Sequence, residues 1–325
     1  MWYIKETKSM DEVLSSKQLG LPNCFKKVIY NYKRRKGKGI IKQIEYGYLY
    51  IIPIDLKKEK ISPKQVKKIC NVLAKTLQKH NVKKLAISEF LDNIEQFKND
   101  IYSQNINILD GRELYQILIL DCLKYIAKKQ ETTIENLDVI TLVNDTTDYS
   151  IENIKLLAKQ VKMVGVVSNN LDKFKNVQEQ ILKEVGALVK LSNNRKKSLA
   201  RANIIINIDF PEELLNKYNI NNNSIILNIS GKANVHKKSF AGMLVQYYEP
   251  TIPLKYLGHL KDLEMLDSFQ KTILCESLIV KKDTFINLRK KVERENIEIS
   301  RLIGNNGILQ DEDFKKSIDK TQCVD

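Results

Sequence analysis

The sequence predicts an α/β protein: a small N-terminal parallel α/β domain, a second parallel-sheet domain, and C-terminal helices that return. Three observations carry this. Between Asp138 and Ser230 five runs rich in Val, Ile and Leu recur at regular intervals: Asp138–Asp145, Val161–Ser168, Gly186–Ser192, Ile204–Asp209 and Ser224–Ser230. Each run is apolar on both faces, as strands buried in a parallel sheet must be. The segments between them have helical periodicity, which makes the alternation one of strand and helix.

The same alternation starts earlier in the chain. Tyr48–Ile54 reads as a strand, and Ser62-Pro63 opens a helix as an N-cap followed by proline does. Val66, Ile69, Leu73 and Leu77 lay one apolar stripe along that helix. Lys84–Ser88, Asn93–Tyr102, Ile106–Leu109 and Arg112–Lys129 continue as strand, helix, strand and long helix, with right-handed crossovers the default. Residues 1–40 are less periodic. Asp11–Gln18 reads as a short helix, Phe25–Tyr32 as a strand or short helix, and Lys33–Gly39 as the basic tip of a hairpin that leads into strands Ile40–Ile44 and Tyr46–Ile54. After the fifth apolar run, Ser239–Tyr247 is expected as an edge strand, and Asp262–Val280 and Asp283–Ile303 as helices that pack across the first domain. The expected divisions are 1–137, 138–260 and 261–325, the last ending in a loose tail from Gly304.

A chain of 325 residues with 43% hydrophobic and 29% charged residues has the composition of a globular protein large enough for two cores. The net charge is +15, and residues 1–60 hold fourteen Lys and Arg against six acids. Such a segment attracts nucleic acid, anionic lipid or acidic partners through a sequence-independent field. The basic patch Lys33, Arg34, Arg35, Lys36 and Lys38 is flanked by Tyr30, Tyr32, Tyr46, Tyr48 and Tyr50, the mixture of cations and rings that single-stranded nucleic acid uses. The five cysteines, Cys24, Cys70, Cys122, Cys275 and Cys323, form no CxxC pair, and the three histidines show no ligand spacing, so no metal is expected. Cys70 and Cys122 fall within apolar helical patterns and are expected in the core. No signal-type apolar region opens the chain and no run approaches a membrane span, so a cytoplasmic protein without a membrane partner is expected.

Ala202-Asn203-Ile204-Ile205-Ile206-Asn207-Ile208, followed by Asp209-Phe210-Pro211, is similar to the fourth strand and cofactor contact of the two-domain NAD(P)-dependent dehydrogenases of shikimate, amino-acid and methylene-tetrahydrofolate type. Residues 48–303 follow their order of elements. The resemblance implies a Rossmann-like second domain with returning C-terminal helices, and NAD or NADP as the possible cofactor. The turn after the first strand of that domain, Asn144-Asp145-Thr146-Thr147-Asp148-Tyr149-Ser150, departs from the family because it has no glycine. Glycines there let helix N–H groups approach a pyrophosphate. The acid expected about 20 residues on is also absent. Ser168-Asn169-Asn170 and then Lys173 stand there, a set better suited to a 2′-phosphate than to a free ribose.

The cofactor-binding candidates are therefore Asn144, Thr146, Thr147, Ser168, Asn169, Asp209 and Ser230, with Ser150 as the expected N-cap of the next helix. Asn193–Lys197, polar and basic after the third strand, is a candidate phosphate contact or a solvated loop. Glu89, Asp110 and Arg112 at strand ends of the first domain are candidates for a cleft between domains, with Asp110 equally a helix cap. Two functions stay open: binding of a nucleotide or small metabolite, with a degenerate oxidoreductase as the redox version, or a non-enzymatic scaffold whose basic N-terminal segment holds nucleic acid or an acidic protein.

Overall fold

The computed structural model describes residues 2–7, 9–44, 47–55, 62–92, 94–229, 231–253, 267–280 and 283–316. It contains two compact units, Met1–Gly111 with the described residues of Lys255–Ser277, and Arg112–Leu254 with the described residues of Leu278–Asp325. The sequence reading set its divisions at 137/138 and 260/261. The units instead meet along the chain at 111/112, 254/255 and 277/278.

The first unit holds strands β1 (Trp2–Thr7), β2 (Ile40–Ile44), β3 (Gly47–Asp55), β4 (Lys84–Ile87) and β5 (Asn107–Leu109) in the order β2-β3-β1-β4-β5. All neighbours are parallel except the β2–β3 hairpin. β1 sits between β3 and β4, although its residues showed no strand signal in the sequence reading. Helices α1 (Ser16–Leu19) and α2 (Asn23–Lys36) precede the hairpin. α3 (Pro63–Lys79), α4 (Glu89–Asp92) and α5 (Glu95–Tyr102) make the crossovers. Ser62 caps α3 as expected, its Oγ accepting the Gln65 N–H at 3.4 Å. Ile4, Ile52, Leu73, Leu85, Phe97 and Cys70 share one core. Burial pushes the Cys70 thiol up to about 12, with the charge of Asp100 adding to the rise.

The basic stretch expected as a hairpin tip is instead the last turn of α2. Gly37 takes φ +65 and its N–H donates to the Arg34 carbonyl at 3.0 Å, while the Lys38 N–H reaches the Lys33 carbonyl at 2.9 Å. This is a glycine-terminated helix end, and cations in the last turn suit the negative end of the helix dipole. The tip of the real hairpin, Glu45-Tyr46, lies outside the described residues.

The second unit opens with α6 (Arg112–Ile117) and α7 (Ile119–Lys129), which divide the single long helix that was expected. Its sheet comprises β6 (Asp138–Leu142), β7 (Met163–Val167), β8 (Val189–Ser192), β9 (Ile204–Asn207), β10 (Ile225–Asn228) and β11 (Met243–Val245). All five pairings are parallel, in the order β11-β10-β9-β6-β7-β8. Counted from β6, that is 3-2-1-4-5-6, the doubly wound order of the Rossmann fold, with its reversal of direction between β6 and β9. Helices α8 (Asp148–Gln160) and α9 (Leu171–Val185) make the first two crossovers, and α10 (Glu212–Leu215) lies between β9 and β10. The short helix expected over Arg195–Arg201 is a series of turns.

The end of the chain differs from its helical reading. After α11 (Ser268–Ile279), β12 (Tyr247–Pro250) finds its antiparallel partner in β13 (Ile299–Gly304), which continues to β14 (Gly307–Ile308). The helix expected through Ile303 stops as α12 (Phe285–Arg294), and Asn296 turns the chain at φ +50. α13 (Asp311–Lys316) follows, with Phe314 fully buried against the Tyr125 ring, so the tail is packed at least that far.

Arg289 of α12 braces the point at which the long helix divides. It is 7% exposed, donates to the Ile117 carbonyl at 3.2 Å and to both carboxylate oxygens of Asp121, and reaches Glu293 at 3.1 Å. The carbonyl freed at the break thus gains a charged donor. Burial disfavours the guanidinium charge, but Asp121 more than offsets this and the pKa lies above its ordinary value. Arg289→Met leaves a mostly buried Asp121 without its cation and should cost about 3–5 kcal/mol. Adding Asp121→Asn should recover part of the loss in denaturant unfolding, and a double variant as unstable as the single one would show that the pair is not the connection.

Candidate functional site

In open parallel sheets, ligands lie beyond the carboxyl ends of strands where the strand order reverses, here beyond β6 and β9. Asp209 follows β9 and projects to the turn after β6. Its Oδ1 accepts the Asn144 N–H at 2.7 Å and its Oδ2 accepts the Asp145 N–H at 2.8 Å. A carboxylate of the chain itself therefore fills two backbone donors of the turn that would meet a pyrophosphate in a dinucleotide site. Burial raises the Asp209 pKa above the ordinary carboxylate value, the two N–H bonds pull it down, and nearby Asp145 adds to the rise.

The rest of the turn is satisfied in the same internal way. Thr147, not Ser150, caps α8: its Oγ1 accepts the Ser150 N–H at 3.1 Å. The Ser150 hydroxyl instead donates to the Asp145 carbonyl at 2.7 Å. Asn144 reaches across to β7, where its Oδ1 accepts the Asn169 N–H at 3.1 Å. Ser168 is fully buried, and its Oγ accepts the Asn170 N–H at 3.0 Å. Thr146 is half-buried within the turn. Asn144, Thr147, Asn169 and Asp209 are thus brought into one hydrogen-bonded crest. Ser230 lies outside the described residues.

A second region lies beyond β7 and β8, whose ends are joined by the Ser168 N–H to the Ser192 carbonyl at 3.2 Å. An open pocket of about 690 Å³ is lined there by Asn169, Asn193, Asn194, Arg195 and Lys196. Its far wall is shaped by Asn194, whose Oδ1 accepts the N–H groups of Lys196 and Lys197 at 3.0 and 3.1 Å. The loop is pinned by the Asn219 N–H to the Arg195 carbonyl at 2.8 Å; Arg195 and Lys196 are exposed, and the Arg195 guanidinium lies beside the Tyr218 hydroxyl, opposing the rise in pKa that burial gives that tyrosine. Cations and amide groups converge here, while acids converge at the neighbouring turn, where Lys173 meets Asp145 at 3.7 Å.

The three cleft candidates are divided between the two units. Glu89 begins α4 and Asp110 follows β5, both in the first unit. Arg112 belongs to the second unit, where its Nη1 donates to the carbonyls of Asn228, Ile229 and Gln246 at 3.0 to 3.2 Å and its guanidinium lies 5.5 Å from the Tyr247 ring centre. It holds strand ends together. The sequence reading also missed a buried amide chain, in which Asn207 donates to Asn228 at 3.2 Å and Asn228 to Gln246 at 3.0 Å. Its signal was present, since IIIN and IILN each end an apolar strand on asparagine. His236, one of the isolated histidines, pairs with Glu212 at 2.7 Å on the surface.

Asp209→Ala frees two N–H groups and should cost about 1–3 kcal/mol. Because the folded carboxyl binds its proton more tightly than the unfolded one, its contribution is fully present below the ordinary aspartate pKa and declines as pH rises through the raised value. The stability gap between the parent and Asp209→Ala should therefore narrow with rising pH in unfolding titrations across the acid range. A gap that widens would mean that the N–H bonds outweigh burial.

The sequence matches no protein-family model and no curated protein. Solved structures similar to it include L-tryptophan dehydrogenase from Nostoc punctiforme, at 11% identity and a TM-score of 0.31, over 91% of this chain and 88% of that one. An N-acetyl-L-ornithine transcarbamylase follows at 10% identity and a TM-score of 0.25, over 70% and 76% of the two chains. The ornithine carbamoyltransferase of Pyrococcus furiosus overlaps at 11% identity and a TM-score of 0.21, over 63% and 58%. Overlaps this low say nothing of activity. The Rossmann-like fold class rests on the parallel strand order of the second unit.

Proposed function

We propose that the second unit binds a phosphorylated small molecule, with nucleotides the leading class, and that its phosphate lies against Arg195 and Lys196 and not at the β6–α8 turn. One observation carries this reading: the fold gathers Asn169 from the end of β7 and Asn193–Lys196 from the end of β8 around a single pocket. Amide donors beside a guanidinium and an ammonium are what a phosphate monoester requires. Asn144, Thr146, Thr147 and Asp209 lie along the neighbouring strand ends and meet the uncharged part of the ligand.

Among nicotinamide cofactors this arrangement favours NADP, whose 2′-phosphate suits the pocket, over NAD. A diphosphate seated at the β6–α8 turn would instead displace Asp209 or lie beside its charge, which weighs against a dinucleotide held in the usual way. The reading is therefore one of binding, and it assigns no redox step.

Thermal unfolding in the presence of NADP, NAD, 2′,5′-ADP and ATP tests it. Ligand at a hundred times its dissociation constant adds about 2.7 kcal/mol, a rise of several degrees for a unit of this size. NADP and 2′,5′-ADP should raise the midpoint and NAD should not. Arg195→Gln with Lys196→Gln should weaken binding at least about tenfold, since hydrogen bonds to charged groups contribute about 1.5–3 kcal/mol. No shift with any of the four, or an equal shift in the double variant, would overturn the assignment.

A further inference from the structure

α2 carries its apolar side chains toward solvent. Phe25, Val28 and Tyr32 are 59%, 65% and 55% exposed, whereas Lys26, Tyr30, Lys33 and Arg34 are half-buried on the other side of the helix. At 100° per residue the three exposed apolar residues fall within an arc of about 60°, with Arg35 on one flank and Lys36 on the other. Leu19 and Leu21, also exposed, precede the helix. The inner face is fixed by cations: Lys26 lies 3.7 Å from Asp11, and Lys33 donates to the Val13 carbonyl at 2.7 Å and to Gln18 at 3.3 Å. Anchoring by that face is what commits Phe25, Val28 and Tyr32 to the outside. From Lys17 to Lys42 the chain has nine Lys and Arg and no acid.

We infer that α2 is a docking face for the surface of an anionic phospholipid bilayer. An apolar strip rimmed by cations matches that boundary, where rings and branched side chains enter the headgroup layer while Lys and Arg meet the lipid phosphates. A single nucleic-acid strand fits less well. Phe25 and Tyr32 stand seven residues apart, about 10 Å along the axis, and Val28 between them offers no face for a base to stack on. Among the described residues no helix is long and apolar enough to cross a membrane, and surface association needs none.

The test is co-sedimentation of the full chain with phosphatidylcholine vesicles that contain or lack phosphatidylserine. Binding should require phosphatidylserine and weaken steeply with salt. Each Lys or Arg near an anionic surface strengthens partitioning about fivefold, so Arg35→Gln and Lys36→Gln together should weaken it about twentyfold. Phe25→Ser, Val28→Ser and Tyr32→Ser together should abolish the binding that survives at high salt, where charges are screened. Both variants should keep the parent unfolding midpoint because the replaced side chains are exposed. If either does not, the single variants Phe25→Ser and Lys36→Gln are read in its place. Absence of binding to phosphatidylserine vesicles at low salt overturns the inference. So does binding that the apolar substitutions leave unchanged, and so does displacement from vesicles by a single-stranded oligonucleotide or an acidic polypeptide that retains its affinity for the apolar triple variant.

Discussion

Two N–H groups at the end of β6 and one carboxylate at the end of β9 organise the crest of the second sheet. A parallel sheet buried on both faces pairs its backbone along the strands but leaves donors at the strand ends, which must find partners. In a dinucleotide site a bound phosphate is that partner. Here Asp209 takes the Asn144 and Asp145 donors. Once the partner is internal, nothing has to approach the turn closely, and glycine is not required there. Threonine can then cap α8, and Asn144 can bind the neighbouring strand end through Asn169. The glycine-free turn and the aspartate belong to one solution of the same hydrogen-bonding problem.

Magnitudes decide what that solution does to an incoming anion. The N-terminus of a helix attracts a phosphate by about 0.3–1 kcal/mol. A single negative charge on Asp209, about 5 Å away at an effective dielectric of 20, repels it by about 3 kcal/mol. The repulsion wins, and Asp148 in the first turn of α8 adds to it. Beyond β7 and β8 the sign is reversed, because Arg195 and Lys196 stand beside neutral amides. One sheet edge thus carries an anion-repelling end and an anion-attracting end on neighbouring strands, which orients a ligand as well as holding it.

The parallel strands of the second unit were legible because each is a continuous apolar run between polar segments, and the helices between them because their stripes repeat at the helical period. Pairing was not legible, and the misreadings follow from that. Trp2–Thr7 alternates too briefly to be recognised alone, and becomes a central strand only through β3 and β4. Phe285, Leu288 and Val292 continue at helical spacing to Ile299 and Ile303 by coincidence. The left-handed turn at Asn296 and the pairing with Tyr247–Pro250 convert the latter half to a strand. The Lys33–Gly37 stretch did hold a helix-end signal, cations followed by glycine, that the flanking strands obscured. At the site, Asp209 and Asn144 could be named as polar residues at strand ends, but not that each occupies the other across 65 residues of chain.

Arginine is the residue best suited to bind a phosphate, so which arginines are already committed narrows where a ligand can lie. Arg112 donates to three strand-end carbonyls and Arg289 to Asp121 and a helix-end carbonyl. Withdrawing either guanidinium to serve a ligand would leave buried acceptors unpaired, at about 1–3 kcal/mol for each. That cost offsets most of the roughly 1.5–3 kcal/mol that a hydrogen bond to a charged group contributes. Arg195 and Lys196 lie on a loop held by main-chain bonds and by the Asn194 side chain, so both side chains can turn to a ligand, Arg195 by leaving its place beside the buried Tyr218 hydroxyl. The same reasoning separates Lys33, whose ammonium is tied to Val13 and Gln18, from Arg35 and Lys36 on the outer face of α2. In this chain the groups able to act on another molecule are those that the fold holds in place by other atoms.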